Sequence, residues 1–133
     1  MASNDSVKTG ARDAESEKAL VSARDSLEKR ADFGYGNTKV EDEFHTLGLL
    51  TKAERIEALH DALARIRPRH RRGPNPPDNI STGRSGGNLM YAFSWISRVY
   101  GPMYIKFCLV RKREEVDLLV LYSFHRSRPG YRA

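Results

Sequence analysis

The chain has a single cysteine, Cys108, so no disulfide can form within it, and a single tryptophan, Trp95. A lone cysteine inside an apolar run reads as a small, half-buried thiol rather than as a reactive group. No apolar stretch approaches the roughly 20 residues that span a bilayer, and no amino-terminal apolar segment resembles a secretion signal. The expectation is a cytoplasmic protein without membrane contact. Four histidines are present, but none stands at zinc-like spacing from another histidine or a cysteine, so no metal site and no cofactor is expected. His45 and His60 fall on different amphipathic segments and fit solvated positions.

Acidic residues are scarce in the second half. Residues 64–133 hold 14 Lys and Arg against 4 Asp and Glu, whereas residues 1–63 hold 9 against 13. The net charge of +6 therefore hides an acidic half of −4 and a basic half of +10. Such asymmetry points to a polyanionic partner for the basic half. Without a lipidation signal, RNA or DNA is the expected partner rather than a membrane.

Length and composition predict one modest domain. Residues 1–12 lack apolar periodicity and read as a disordered tail, and residues 13–133 as one domain. Asp13 to Arg30 is helical, with Leu20, Ala23 and Leu27 on a thin stripe. Thr38-x-x-Glu41 and Thr51-x-x-Glu54 each have the form of a capping box opening a helix. The first carries Val40, Phe44 and Leu47 and ends at Gly48. The second carries Ile56, Leu59, Leu63 and Ile66 and stops at Pro68. Residues 68–88, rich in Arg, Pro and Gly, read as a basic flexible loop. Gly83-Arg84-Ser85-Gly86-Gly87 lacks the Gly-Lys-Ser/Thr ending of a phosphate loop and precedes a strand, which excludes a nucleotide site of that kind.

From Leu89 the pattern alternates, with Tyr91, Phe93 and Trp95 on one side, and Gly101-Pro102 turns the chain into a β-hairpin. If Arg111 faces Val116, then Met103, Ile105, Phe107 and Leu109 face Phe124, Tyr122, Val120 and Leu118 on one apolar side. The other side then carries Tyr104, Lys106, Ser123 and His125. The fold class is α+β: amino-terminal helices packed on a small antiparallel sheet, a carboxy-terminal meander of about three strands.

Two groups of residues carry candidate chemistry. Arg65, Arg67, Arg69, His70, Arg71 and Arg72 exceed what capping a helix end requires and suit phosphate contacts, to which Arg84, Arg98 and Arg128 add. His125 lies beside Arg126 and shares a face with Tyr104 and Lys106. Cleavage of RNA by its own 2′-hydroxyl needs a group that exchanges protons near neutral pH and fixed cations for the phosphorane.

Trp95-x-x-x-Val99-Tyr100-x-Pro102, Met103-Tyr104-Ile105-Lys106 and Val120-Leu121-Tyr122-Ser123-Phe124-His125 resemble segments of the motility quorum-sensing regulator family of bacterial toxins. These belong to the broad group of metal-free ribonucleases that includes RelE-type toxins and colicin nucleases. The resemblance covers residues 90–126. It implies an α+β fold, endonucleolytic RNA cleavage without a cofactor, and a cognate antitoxin or immunity protein as partner. Tyr100 matches the family's Val-Tyr-x-Pro tyrosine, Lys106 its Tyr-Leu-Lys strand, and His125 stands where the family has a terminal Lys. The expected catalytic set is His125, Lys106, Tyr104, Tyr100 and Arg126. A non-catalytic nucleic-acid-binding protein and a protein-interaction regulator of phage or plasmid type are the alternatives.

Overall fold

The computed structural model describes residues 4–72, 89–113 and 115–127, without the side chains of residues 4–9 and 11. Three helices, α1 (Asn4–Arg30), α2 (Lys39–Thr46) and α3 (Lys52–Arg65), cover one face of a five-stranded sheet. Its strands are β1 (Gly34–Tyr35), β2 (Arg71–Arg72), β3 (Tyr91–Ser97), β4 (Gly101–Val110) and β5 (Leu118–Arg126), in spatial order β1-β5-β4-β3-β2. The fold is α+β, but the expected three-stranded antiparallel sheet is corrected on two counts. The sheet has five strands, and β1 runs parallel to β5. Both added strands are two residues long, too short to leave a periodic signal.

Helix α1 begins at Asn4, so the stretch read as a tail is helical from that residue on. Its buried stripe, Leu20, Ala23 and Leu27, is the expected one. It ends at Ala31, whose φ of 49° is left-handed. Helix α3 opens with the expected capping box: Glu54 N–H donates to Thr51 Oγ1 at 3.1 Å, and Thr51 N–H donates to Glu54 Oε1 at 2.9 Å. The Thr51 N–H above all, then the Thr51 hydroxyl and the Leu50 N–H, donate to the Glu54 carboxyl and hold it below its usual range. Thr38 makes no side-chain cap on α2. Instead Asn37 Oδ1 accepts from Val40 N–H at 3.3 Å, and Glu41 forms a two-pronged pair with Arg55 at 2.6 and 2.8 Å.

Three arginines tie the layers together. Arg55 is buried, donates to the Leu49 carbonyl at 2.8 Å and the Tyr35 hydroxyl at 3.0 Å, and lies over the Phe44 ring. Arg24 of α1 donates to the carbonyls of Leu63 and Ile66, satisfying the end of α3. Arg30 donates to the Val116 carbonyl at 2.7 and 2.9 Å and pairs with Glu115.

The β4–β5 hairpin has a different register from the one expected. Met103 to Lys106 oppose Arg126 to Ser123, Phe107 to Val110 oppose Leu121 to Leu118, and Tyr122 is the extra residue of a bulge. A bulge reverses inward and outward positions on one side of itself. Leu119 and Leu121 are therefore fully buried, while Leu118, Val120 and Tyr122 are only half-buried. Phe124 remains inside, as expected. Residues 34–37 hold the bulge: Gly36 N–H donates to the Leu121 carbonyl at 2.7 Å, and Asn37 Nδ2 to the Tyr122 carbonyl at 3.2 Å. The Tyr122 ring rests against Gly36, where a Cβ would lie 2.5 Å from it.

The turn between β3 and β4 is Arg98-Val99-Tyr100, with Ser97 opposite Gly101, rather than Gly101-Pro102. Gly101 has a φ of 78° and opens β4. Val99 is 74% exposed on that turn. Cys108 is buried and forms no disulfide. Among the described residues no helix is long and apolar enough to cross a membrane.

Candidate functional site

Alternation along the strands sends Phe93, Trp95, Met103, Ile105, Phe107 and Phe124 to the helices. The opposite face carries, row by row, Ser94–Tyr104–His125 and Ala92–Lys106–Ser123 across β3, β4 and β5, with Ala92, Ser94 and Ser123 buried and Tyr104, Lys106 and His125 half-buried. The bulge sets this arrangement. Tyr104 is directly opposite His125, with ring centroids 5.3 Å apart, and Lys106 is directly opposite Ser123. Four of the residues singled out by sequence thus share one patch.

The imidazole of His125 is held on two sides. Its Nδ1 is 2.7 Å from the Arg126 carbonyl oxygen. A carbonyl oxygen can only accept, so Nδ1 carries the hydrogen and Nε2 holds the lone pair of the neutral ring. Nε2 lies 3.9 Å from Glu43 Oε2, with the two side chains 25% and 16% exposed. The other Glu43 oxygen accepts from Phe124 N–H at 2.9 Å. Strand β1 pairs only with Val120 and Leu121, which leaves the next amides of β5 without a strand partner on that edge, and α2 packs there to supply Glu43. A cavity of about 360 Å³ beside His125 is lined by Lys39, Asp42, Glu43, Thr46, Leu47 and Arg126. Sequence reasoning missed Glu43 and Ser94. Neither carries a local signal, because a glutamate on an amphipathic helix and a serine in a strand are ordinary.

Tyr100 is not part of this patch. It is half-buried against the core and lines a separate groove with Trp95 and Phe124. Arg126 lies over the Tyr100 ring at 5.5 Å, with its Nε 3.4 Å from the Tyr100 carbonyl.

The basic run divides. Arg65 pairs with Asp61 one turn back at 3.1 Å, and Arg67 caps α3 through the carbonyls of Ala64 and Ile66. Arg69 and Arg98 are exposed. Arg71 corrects its assignment as a phosphate contact: its side chain is 2% exposed, bonds Ser16 Oγ at 2.9 Å, lies near Glu15 and stacks over Tyr91. Burial pushes the Arg71 guanidinium below, and the Tyr91 phenol above, their ordinary values. Arg72 donates to the Arg71 carbonyl, and both residues form β2 within the stretch read as loop. Arg84 and Arg128, and the rest of the expected loop from residue 73 on, lie outside the described residues.

Among the described residues no group of three or more His, Cys, Asp or Glu could hold a metal ion. No family model, no curated protein and no solved structure matches the chain, so the resemblance to the toxin family rests on the short segments within residues 90–126.

Proposed function

We propose that the chain is an endoribonuclease that cleaves RNA by attack of the 2′-hydroxyl on the adjacent phosphate. The observation carrying this reading is the row Tyr104–His125–Glu43, with Lys106 in the neighbouring row. His125 Nε2 takes the 2′-hydroxyl proton, and the resulting imidazolium faces the Glu43 carboxylate. Lys106 and Arg126 offset the charge of the phosphorane. The Tyr104 hydroxyl, or a water it orients, gives a proton to the leaving 5′-oxygen. The P–O5′ bond breaks, and the products are a 2′,3′-cyclic phosphate and a 5′-hydroxyl. Members of that toxin family carry Lys where this chain has His125, so the proton carrier proposed here departs from their pattern.

The test is cleavage of end-labelled RNA in EDTA by wild type and His125→Ala. The expected result is cyclic-phosphate product with wild type and its near-loss in the variant. Equal activity in both removes the role of His125, and no activity in either removes the enzyme reading.

A second reading, a protein-interaction regulator, draws on the exposed Leu50, Ile96 and Val99 and on the groove that Glu57, Asp61 and Val99 line. Co-purification with a protein, without nucleic acid and without cleavage, favours it.

A further inference from the structure

At the end of β3 the single tryptophan meets the arginine cluster. Trp95 is 2% exposed, and its Nε1–H has no hydrogen-bond partner. A buried donor without an acceptor is uncommon and calls for a reason. Trp95 also lines an open cleft of about 540 Å³ with Asp61, Arg65, Arg67, Arg69, His70 and Ile96.

The cleft is rich in donors. Its one carboxylate, Asp61, is taken by Arg65. Arg67 uses only Nη1 on the carbonyls of α3. His70 Nδ1 accepts from Arg67 N–H at 2.9 Å, so in the neutral ring Nε2 bears the hydrogen and is a further donor. Arg69 makes no hydrogen bond or ion pair among the described residues. Burial and then the charges of Arg69, Arg72 and Arg67 push His70 below its ordinary pKa, as a positive field without a counter-anion would. Arg24 and Arg67 together satisfy the helix end and His70 Nδ1 takes the Arg67 N–H, so Arg69 and the Nε2 side of His70 exceed the needs of the fold.

We propose that this cleft binds a phosphate group, with the Arg69 guanidinium and His70 Nε2 as its main ligands, Arg65 and Arg67 flanking, and the Trp95 indole as its floor. Of its lining, Ile96 is on the same sheet face as Tyr104 and two residues along β3 from Ser94, which brings one wall of the cleft to the edge of the face that bears His125. Assigning the phosphate to RNA rests on the ribonuclease reading. Binding of phosphate itself does not. The shared chemistry has two sources, a terminal phosphomonoester or an internal phosphodiester.

The experiment follows the one indole N–H resonance in ¹H–¹⁵N spectra of the full chain. Inorganic phosphate, a 5′-phosphorylated trinucleotide and its 5′-hydroxyl counterpart are titrated at constant ionic strength, with chloride as control. A saturable indole shift with phosphate but not chloride is expected. Arg69→Ala should weaken it about tenfold, Arg69→Lys less, and Lys112→Ala not at all. Tighter binding of the phosphorylated trinucleotide assigns the site to a chain terminus, and equal binding of both assigns it to a phosphodiester. No shift beyond that of chloride, or an Arg69→Ala titration equal to wild type, overturns the proposal. Phosphate binding without RNA cleavage leaves the cleft standing and removes only the ribonuclease.

Discussion

Glu43 and His125 meet across the open edge of β5, one carboxylate oxygen 3.9 Å from Nε2 and the other accepting the Phe124 amide at 2.9 Å. One side chain therefore completes the sheet edge and faces the proposed proton carrier. Two substitutions separate these roles. Glu43→Gln keeps an acceptor for Phe124 N–H and removes the charge, so the midpoint in urea should stay close to wild type. RNA cleavage should fall by about tenfold or more, with a changed pH profile. Glu43→Ala leaves the amide without its acceptor and should also lower stability by about 1–3 kcal/mol. Identical pH profiles for Glu43→Gln and wild type would show that the carboxylate is only structural.

Gly36 and Tyr122 hold the bulge that sets the parity of β5. Gly36→Ala places a methyl against the Tyr122 ring and should destabilise by about 2 kcal/mol. Adding Tyr122→Ala should make the pair markedly less than additive, measured as a double-mutant cycle by chemical denaturation.

Arg55 joins α2, α3 and β1 through four groups, the Leu49 carbonyl, the Tyr35 hydroxyl, the Glu41 carboxylate and the Phe44 ring. Arg55→Met strands the Leu49 carbonyl and the Tyr35 hydroxyl and should cost about 3 kcal/mol. Glu41→Gln should cost much less, because Glu41 is exposed and its pair with Arg55 is screened on that side. Thermal unfolding of the two variants checks the order.

Ala31 ends α1 in the left-handed region at a φ of 49°. Ala31→Gly relieves that strain and should raise stability by about 1 kcal/mol, read from the urea midpoint.

His70 has a folded pKa below its ordinary 6.5. The unfolded chain then takes up the proton first as pH falls, so this group lowers stability progressively below pH 6.5 and has no effect well above it. His70→Gln should reduce the loss of thermal stability between pH 7 and pH 5. Saturating phosphate should do the same if the cleft binds it, because an anion favours the protonated ring.

Much of the helical layer was legible in the sequence because its signals are local. The stripes of α1 and α3, the Thr51–Glu54 cap and the stop at Gly48 each depend on residues within a turn or two of one another. The inward set of β3 was equally plain. In β5 the four consecutive apolar residues Leu118 to Leu121 carry no alternation, so periodicity could not choose the buried pair. The basic run misled in a different way. Arg67 and Arg71 look alike in composition, but one caps a helix and the other is enclosed beside Ser16 and Glu15, fifty-five residues away from the serine in sequence.

The sequence by itself determined the α+β class, the capped start of α3 and the stop of α2 at Gly48, and the presence of Tyr104, Lys106, Ser123 and His125 on one sheet face. Tertiary structure alone decided that Tyr104 stands opposite His125, that Glu43 reaches that histidine, and which arginines remain open to solvent. The reason is range. Caps and periodicity act through neighbouring backbone groups, whereas a bulge, a sheet edge and a buried guanidinium are each settled by the partner that the fold brings to them.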